Sequence, residues 1–368
     1  VRHDRLPVTY EECRARFHRA AAVAGLPVAA HPLGVRGPTG ATLSLDVVDV
    51  GPPRPCRALV VLSGVHGVEG FLGSALQCDL LEWLGAGGLP EDLAVVVVHA
   101  VNPWGMAVGR RQNESNVDLN RNWRRSAGEP VPNEAYDELH PLACPDTPEL
   151  PSVEDLMVAA LAVVEERGLA WVRDGITRGQ YRHPDGLHYG GARTEESNRI
   201  LESVVVPRLA GAEQLVVLDL HTGHGPWAEV TALSDAPPGS DQDRFLRSVF
   251  GDDRVEATVD NPDASTGVKS GQIANGIRDL VGGAEAYATS VEFGTVSDEE
   301  QLVATYLESW VHRWGDRSRP DHAAVAWRYR CCFTPDDPGW ESACLTRGRE
   351  LLGRALAAVG GPEGPGPG

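Results

Sequence analysis

Arg57-Ala58-Leu59-Val60-Val61-Leu62-Ser63-Gly64-Val65-His66-Gly67-Val68-Glu69-Gly70 is the stretch that sorts this chain into a fold class. Its first seven residues form a short apolar run that reads as a strand buried on both faces. Gly64 interrupts the run, His66 and Glu69 follow as an H-x-x-E pair, and helical spacing resumes from Phe71 to Leu84. A second buried run, Leu93 to His99, comes next, then a third at Leu215 to Leu220. Strands of this kind alternating with helices point to an α/β fold with a mixed, largely parallel central sheet flanked by helices.

Around that centre, Thr9-x-x-Glu12 has the form of a capping box that opens a helix to about Ala24. Ala41 to Val50 and Ala288 to Glu292 have strand character. Helices are expected over Val153 to Arg167, Arg193 to Leu209, Asp298 to Trp314 and Trp340 to Val359. The proline-rich span Ser126 to Pro151 reads as a long loop, and Gly175 to Gly191, rich in Gly, His and Tyr, as a second one. Residues 1–359 are expected to form one domain, and the Gly/Pro-rich residues 360–368 a disordered tail.

Hydrophobic residues make up 42% and charged residues 23% of the 368, ordinary values for a globular protein with a sizeable core. No apolar run approaches the roughly 20 residues needed to span a bilayer, so no membrane partner is expected. The formal charge of -19 repels phosphate backbones and argues against nucleic acid as a partner. A local positive pocket can still take an anionic ligand. Seven cysteines without a C-x-x-C argue against a disulfide framework, and the polar start Val1-Arg2-His3-Asp4-Arg5 lacks a signal-peptide pattern, so a cytoplasmic location is expected.

His66, Glu69 and His221 supply two imidazoles and a carboxylate, the ligand set of a catalytic zinc that keeps one position open for water. His66, His221 and Glu292 lie at or just beyond expected strand ends, where open α/β sheets bind ligands, and Asn102 also follows a strand. Glu292 is a candidate base. The dense run Asn116-Val117-Asp118-Leu119-Asn120-Arg121-Asn122-Trp123 places an arginine between amides, which suits bidentate recognition of a carboxylate. Asp118 is a candidate to orient a metal-bound imidazole. The competing reading of that run is a surface turn with a solvated Asp118–Arg121 pair, which explains Arg121 but not the whole segment.

The order His66-x-x-Glu69, Val117-Asp118-Leu119-Asn120-Arg121-Asn122-Trp123, His221 and Glu292 resembles that of the zinc carboxypeptidases, the carboxypeptidase A-like superfamily. The chain more closely resembles a bacterial branch that shares the Asn102-Pro103-x-Gly105-Met106 and Gly179-Gln180-Tyr181 … Tyr189-Gly190-Gly191 blocks, over roughly residues 60–310. The resemblance implies a zinc carboxypeptidase-like phosphorylase/hydrolase-type fold. It implies one Zn2+ held by His66, Glu69 and His221, with Asp118 accepting from His66. Asn120 and Arg121 bind the free carboxylate of the substrate, Arg110 or Arg111 polarises the scissile carbonyl, and Glu292 is the general base. The loop tyrosine usual in such proteins is missing between His221 and Glu292, where Tyr287 alone occurs, so Tyr181 or Tyr189 is a candidate replacement. Lys269 falls in the segment expected to line the pocket for the terminal side chain, where a cation favours an acidic group; a solvated surface lysine is the plainer reading. His183 and His188 are open between a second metal site, substrate contact and neither; His224 is expected to rim the pocket, and His99 to sit in the core.

Three functions are consistent with these residues. The first is a metallocarboxypeptidase acting on a peptide or peptide-like metabolite. The second is a deacylase of N-acyl amino acids, similar to aspartoacylase. The third is an inactive ligand-binding homologue, which the full set of ligands and base disfavours.

Overall fold

Val60 and Val61 account for the layering. Successive residues of a strand point to opposite faces, and both are fully buried. Val61 packs in a core with Leu59, Leu76, Leu80 and Leu352, whereas Val60 packs in a second core with Leu62, Leu201, Ile273 and Ile277. A sheet with apolar side chains on both faces needs helices on both, and the chain supplies them. The structure is a computed structural model and describes residues 5–123, 132–150, 152–261, 264, 267–283 and 285–360.

The strands are β1 (Ala29–Arg36), β2 (Thr42–Val50), β3 (Arg57–Ser63), β4 (Leu93–His99), β5 (Gln214–Gly223), β6 (Val230–Ser234), β7 (Val255–Ala257) and β8 (Glu285–Gly294). The helices are α1 (Tyr10–Val23), α2 (Gly70–Gly85), α3 (Pro103–Val108), α4 (Glu134–Ala143), α5 (Val153–Arg167) and α6 (Leu169–Thr177), followed by α7 (Glu196–Arg208), α8 (Asp241–Phe250), α9 (Ile273–Val281), α10 (Asp298–Trp314), α11 (Pro320–Phe333) and α12 (Pro338–Gly360). The sheet order is β1-β2-β4-β3-β5-β8-β6-β7. Its middle, β4-β3-β5-β8, is parallel throughout, while β2 and β6 flank it antiparallel. This is the mixed, largely parallel α/β sheet expected from the buried runs. Helices α1, α2, α8 and α12 cover one face, and α7 and α9 the other.

The capping expectation holds at α1, where Thr9 Oγ1 accepts from the Glu12 N–H. Two loop expectations are corrected. Ser126 to Pro151 contains α4, because Asn133 Oδ1 accepts from the Tyr136 N–H and the Tyr136 and Leu139 side chains are buried. Pro141 in the last turn of α4 hides the helical pattern. The second loop loses its start to α6, which runs to Thr177. The tail expected over 360–368 is corrected at its first residue, since Gly360 is buried as the last residue of α12; residues 361–368 lie outside the described residues. Among the described residues, no helix is long and apolar enough to cross a membrane.

Candidate functional site

The parallel middle of the sheet brings the chemistry together at its carboxyl end. In the β5–β8 ladder His221 is the register partner of Glu292, so the two side chains leave neighbouring strands on the same face. His66 and Glu69 lie just past the end of β3, the strand on the other side of β5. Their turn is held against the segment after α3. The Gly67 N–H donates to the Arg111 carbonyl at 3.3 Å, and the Val68 N–H to the Arg110 carbonyl at 2.9 Å. Gly67 has no substitute here, since a Cβ would stand 2.1 Å from the Gly105 carbonyl carbon.

One ligand atom from each of His66, Glu69 and His221 lies within 4.8 Å of the others, and all three residues are buried. His66 Nδ1 is 3.0 Å from Glu69 Oε1, and His221 Nδ1 is 2.8 Å from Glu69 Oε2. His66 Nδ1 is a buried atom with no hydrogen-bond partner, as a ring nitrogen reserved for a metal would be. The His66 Nε2 atom is hydrogen-bonded to Asp118 Oδ1 at 3.2 Å, and His221 Nε2 lies 2.7 Å from Asp219 Oδ2 without a hydrogen bond. Imidazole backed by a carboxylate is the usual arrangement around a bound metal. The donor set therefore fits a divalent cation. Burial works against the charge of Glu69, yet the His66 and His221 imidazoles hold its carboxyl well below the usual range. Burial likewise opposes protonation of His221, and Asp219 and Glu69 outweigh it, raising that imidazole well above its ordinary value.

Asp118 is the centre of the polar scaffold. Oδ1 accepts from the Asn120 N–H at 2.9 Å and faces His66; Oδ2 accepts from Arg111 Nε at 3.0 Å and from His188 Nδ1 at 3.1 Å. Against the cost of its burial, Arg111 and then His66 keep this carboxyl well below the carboxylate range. Arg111 also reaches Glu69 Oε1 through Nη1 at 3.1 Å. Burial alone would depress the Arg111 guanidinium, but Asp118 and Glu69 raise it.

A cavity of about 170 Å³ opens beside the cluster, lined by His66, Glu69, His221 and Glu292 together with Arg111, Asn120, Arg121, His188, His224 and Lys269. Arg121 is buried; its Nε and Nη2 donate to the Thr177 carbonyl and its Nη1 to the Asn120 carbonyl. Among the described residues no carboxylate pairs with it. Desolvation lowers its pKa. Asn120 Oδ1 accepts from the Ile273 N–H at 2.9 Å, which ties the segment to α9.

Several expected residues sit elsewhere. Arg110 is buried away from the cavity, with Nε on Glu308 Oε1 at 2.9 Å and Nη2 on Asn116 Oδ1 at 3.1 Å, so of the two arginines only Arg111 faces the site. Tyr189 is buried and does not line the cavity; its carbonyl accepts from the Asp118 N–H at 2.8 Å. The Tyr181 hydroxyl is spent on the Arg121 carbonyl at 2.6 Å. Asn102 caps α3 through Oδ1 and donates to the Arg111 carbonyl through Nδ2, so it shapes the turn and stays out of the cavity. His183 pairs with Asp137 at 2.9 Å and stacks on His140, outside the cavity. His99 is in the core, stacked on Phe17. His224 lines the cavity as expected, 3.7 Å from Glu256; burial works against its charge, but Glu256 raises its pKa. One contributor was missed, Asp219, and one that the sequence left open, His188, lines the cavity. Asp219 precedes His221 by two positions, and the strand period alone places them on one face. His188 lies in a loop with no period to orient it; its left-handed backbone, φ +50°, turns its ring to Asp118.

Residues 7–347 match the family described as "Protein of unknown function (DUF2817)". No curated protein sequence matches the chain. Among solved structures, the chain is similar to a metallopeptidase candidate from Shewanella amazonensis SB2B at 15% identity, over 83% of this chain and 91% of that one, with a TM-score of 0.43. It is similar to a succinylglutamate desuccinylase from Chromobacterium violaceum at 15% identity, over 96% of this chain and 75% of that one, with a TM-score of 0.42. It is similar to bovine thrombin-activatable fibrinolysis inhibitor at 12% identity, over 89% of this chain and 96% of that one, with a TM-score of 0.46. The family match spans most of the sequence, and the chain belongs to the DUF2817 family.

Proposed function

We propose that this protein is a zinc-dependent hydrolase of amide bonds adjacent to a free carboxylate, acting as a carboxypeptidase on a peptide or peptide-like metabolite. One observation carries the reading: a buried His66–Glu69–His221 cluster shares its cavity with Glu292 and with Arg121. Two imidazoles and a carboxylate suit zinc. When bound, the metal supplies Lewis acidity to water and to the scissile carbonyl.

The chain's own groups divide the remaining work. Arg121 and Asn120 hold the substrate's carboxylate, which places the neighbouring amide in the cavity. Arg111 offers a cationic donor to the carbonyl oxygen as it gains negative charge. Its position is fixed by Asp118 and Glu69. The Glu292 carboxylate accepts a proton from the attacking water as the oxygen–carbon bond forms. It then delivers that proton to the amide nitrogen as the carbon–nitrogen bond breaks.

The modest cavity, about 170 Å³, favours a second reading, a deacylase that cuts a small N-acyl amino acid. Assay of blocked dipeptides beside N-acyl amino acids, with metal content measured by mass spectrometry, tests both. Hydrolysis of blocked dipeptides that disappears on chelation and returns with zinc is expected. Hydrolysis confined to N-acyl amino acids replaces the first reading with the second, and full turnover in thoroughly chelated protein rejects both.

A further inference from the structure

In a chain of net charge -19, the cavity lining contains Arg111, Arg121 and Lys269. Arg111 is spoken for by Asp118 and Glu69. Arg121 and Lys269 have no carboxylate ion-pair partner among the described residues. Lys269 is half-buried, and the loop that carries it is fastened on the site. The Ser270 N–H donates to the Arg178 carbonyl at 3.3 Å, and the Gly271 carbonyl accepts from the Trp123 N–H at 3.0 Å. Gly271 has φ +71°, and a Cβ there would stand 2.4 Å from the Arg121 carbonyl oxygen. Lys269 is thus held against the Arg121 segment by close backbone packing, which a solvated surface lysine does not need.

The charges around Lys269 show what it lacks. Burial lowers its pKa first, and the next largest influence is repulsion from Arg121; the attractions of Glu292 and Asp235 come after it. Asp235 is already engaged by Thr258 Oγ1 and Asn275 Nδ2, each at 2.8 Å. Two cations held together in a partly dehydrated cavity repel one another unless anions join them. In the reaction proposed above Arg121 takes one carboxylate and Glu292 is given to the attacking water, and that leaves Lys269 for a second carboxylate of the substrate.

We propose that the substrate carries a second carboxylate held by Lys269, so that the amino acid released is acidic, of the aspartate or glutamate class. The inference rests on the amide hydrolysis proposed above, because that reaction assigns the first carboxylate to Arg121.

Calorimetric binding of the product amino acids to the zinc-loaded protein tests the inference without requiring turnover. Glutamate or aspartate is expected to bind about 10-fold or more tightly than glutamine or asparagine. Lys269→Gln should erase that difference, and Lys269→Arg should retain most of it; circular dichroism confirms that both variants are folded. Equal binding of acid and amide, or a preference that survives Lys269→Gln, overturns the inference even if amide hydrolysis is observed. Selective binding of the acids that depends on Lys269, without hydrolysis of any amide, supports the second carboxylate site and overturns the proposed reaction alone.

Discussion

Asp118 is the residue on which the site depends most broadly, because one carboxylate orients His66, Arg111, His188 and the backbone at Asn120. Asp118→Ala should weaken zinc binding about 10- to 100-fold, the usual cost of removing a group that orients a metal-bound imidazole. Competition with a chromophoric chelator measures it, and unchanged affinity would show that His66 needs no such support. In the proposed reaction Glu292 serves the chemistry and not the metal. Glu292→Gln is expected to lower kcat by about 10²- to 10⁴-fold, the range for a general base, with zinc content unaltered. Unchanged turnover removes Glu292 from the mechanism. The convergence of His66, Glu69, His221 and Glu292 was legible in the sequence because strand ends announce themselves through apolar runs, and the residues that follow must emerge at one edge of the sheet. Arg110 was not separable from Arg111 by type. Their opposite directions are set by the turn at Gly109, φ +69°, and by the distant partner Glu308 on α10. His188 was undecidable for a related reason: its orientation comes from its carboxylate partner and not from a local repeat.

At the scale of elements, the hydrophobic runs of β3, β4 and β5 pointed to the parallel middle of the sheet, since short valine-rich runs bounded by turn residues read as strands buried on both faces. The edges were silent. β1 carries Pro32 and Gly34 and has an irregular register between Pro32 and Arg36. β7 has three residues. α9 is short, and Gly276 interrupts its apolar pattern because the Trp123 ring lies against it, 2.0 Å from where a Cβ would stand. The turn after β3 has no such slack. Gly67→Ala forces the His66–Glu69 segment away from Gly105. About 1–3 kcal/mol of stability should be lost, the usual cost of overpacking, together with zinc affinity. Urea unfolding and chelator competition on the same sample check the coupling, and a loss of stability with zinc affinity intact would mean that the turn and the ligands move independently.

The molecule as a whole responds to acid through imidazoles whose charge burial opposes, His99 and His188 among them. His99 is fully buried, stacked on Phe17 with ring centroids 4.5 Å apart and 2.9 Å from Ser74 Oγ; burial pushes its pKa down to about 4. The unfolded chain takes up that proton near pH 6.5, the folded one only near pH 4, so the unfolded state binds more protons in between. Stability from this residue is complete above pH 6.5, falls as the pH drops through the window, and is lost below about 4. The loss is on the order of 3 kcal/mol. His188, also lowered to about 4 by burial, acts with the same sign. Urea midpoints between pH 4 and 7 should therefore slope upward with pH, and His99→Gln should flatten part of the slope; an unchanged slope would assign it to other groups. The chain as a whole carries a net charge of -19, whereas the cavity lining sets three cations, Arg111, Arg121 and Lys269, against two carboxylates, Glu69 and Glu292. A substrate with the two carboxylates proposed above first meets a repulsive far field and only then an attractive near field. Dissolved ions screen the former, which acts through solvent, far more than the latter, which acts across protein. Moderate salt should therefore hasten encounter while leaving residence time nearly constant, the reverse of the behaviour of an enzyme whose whole surface attracts its ligand.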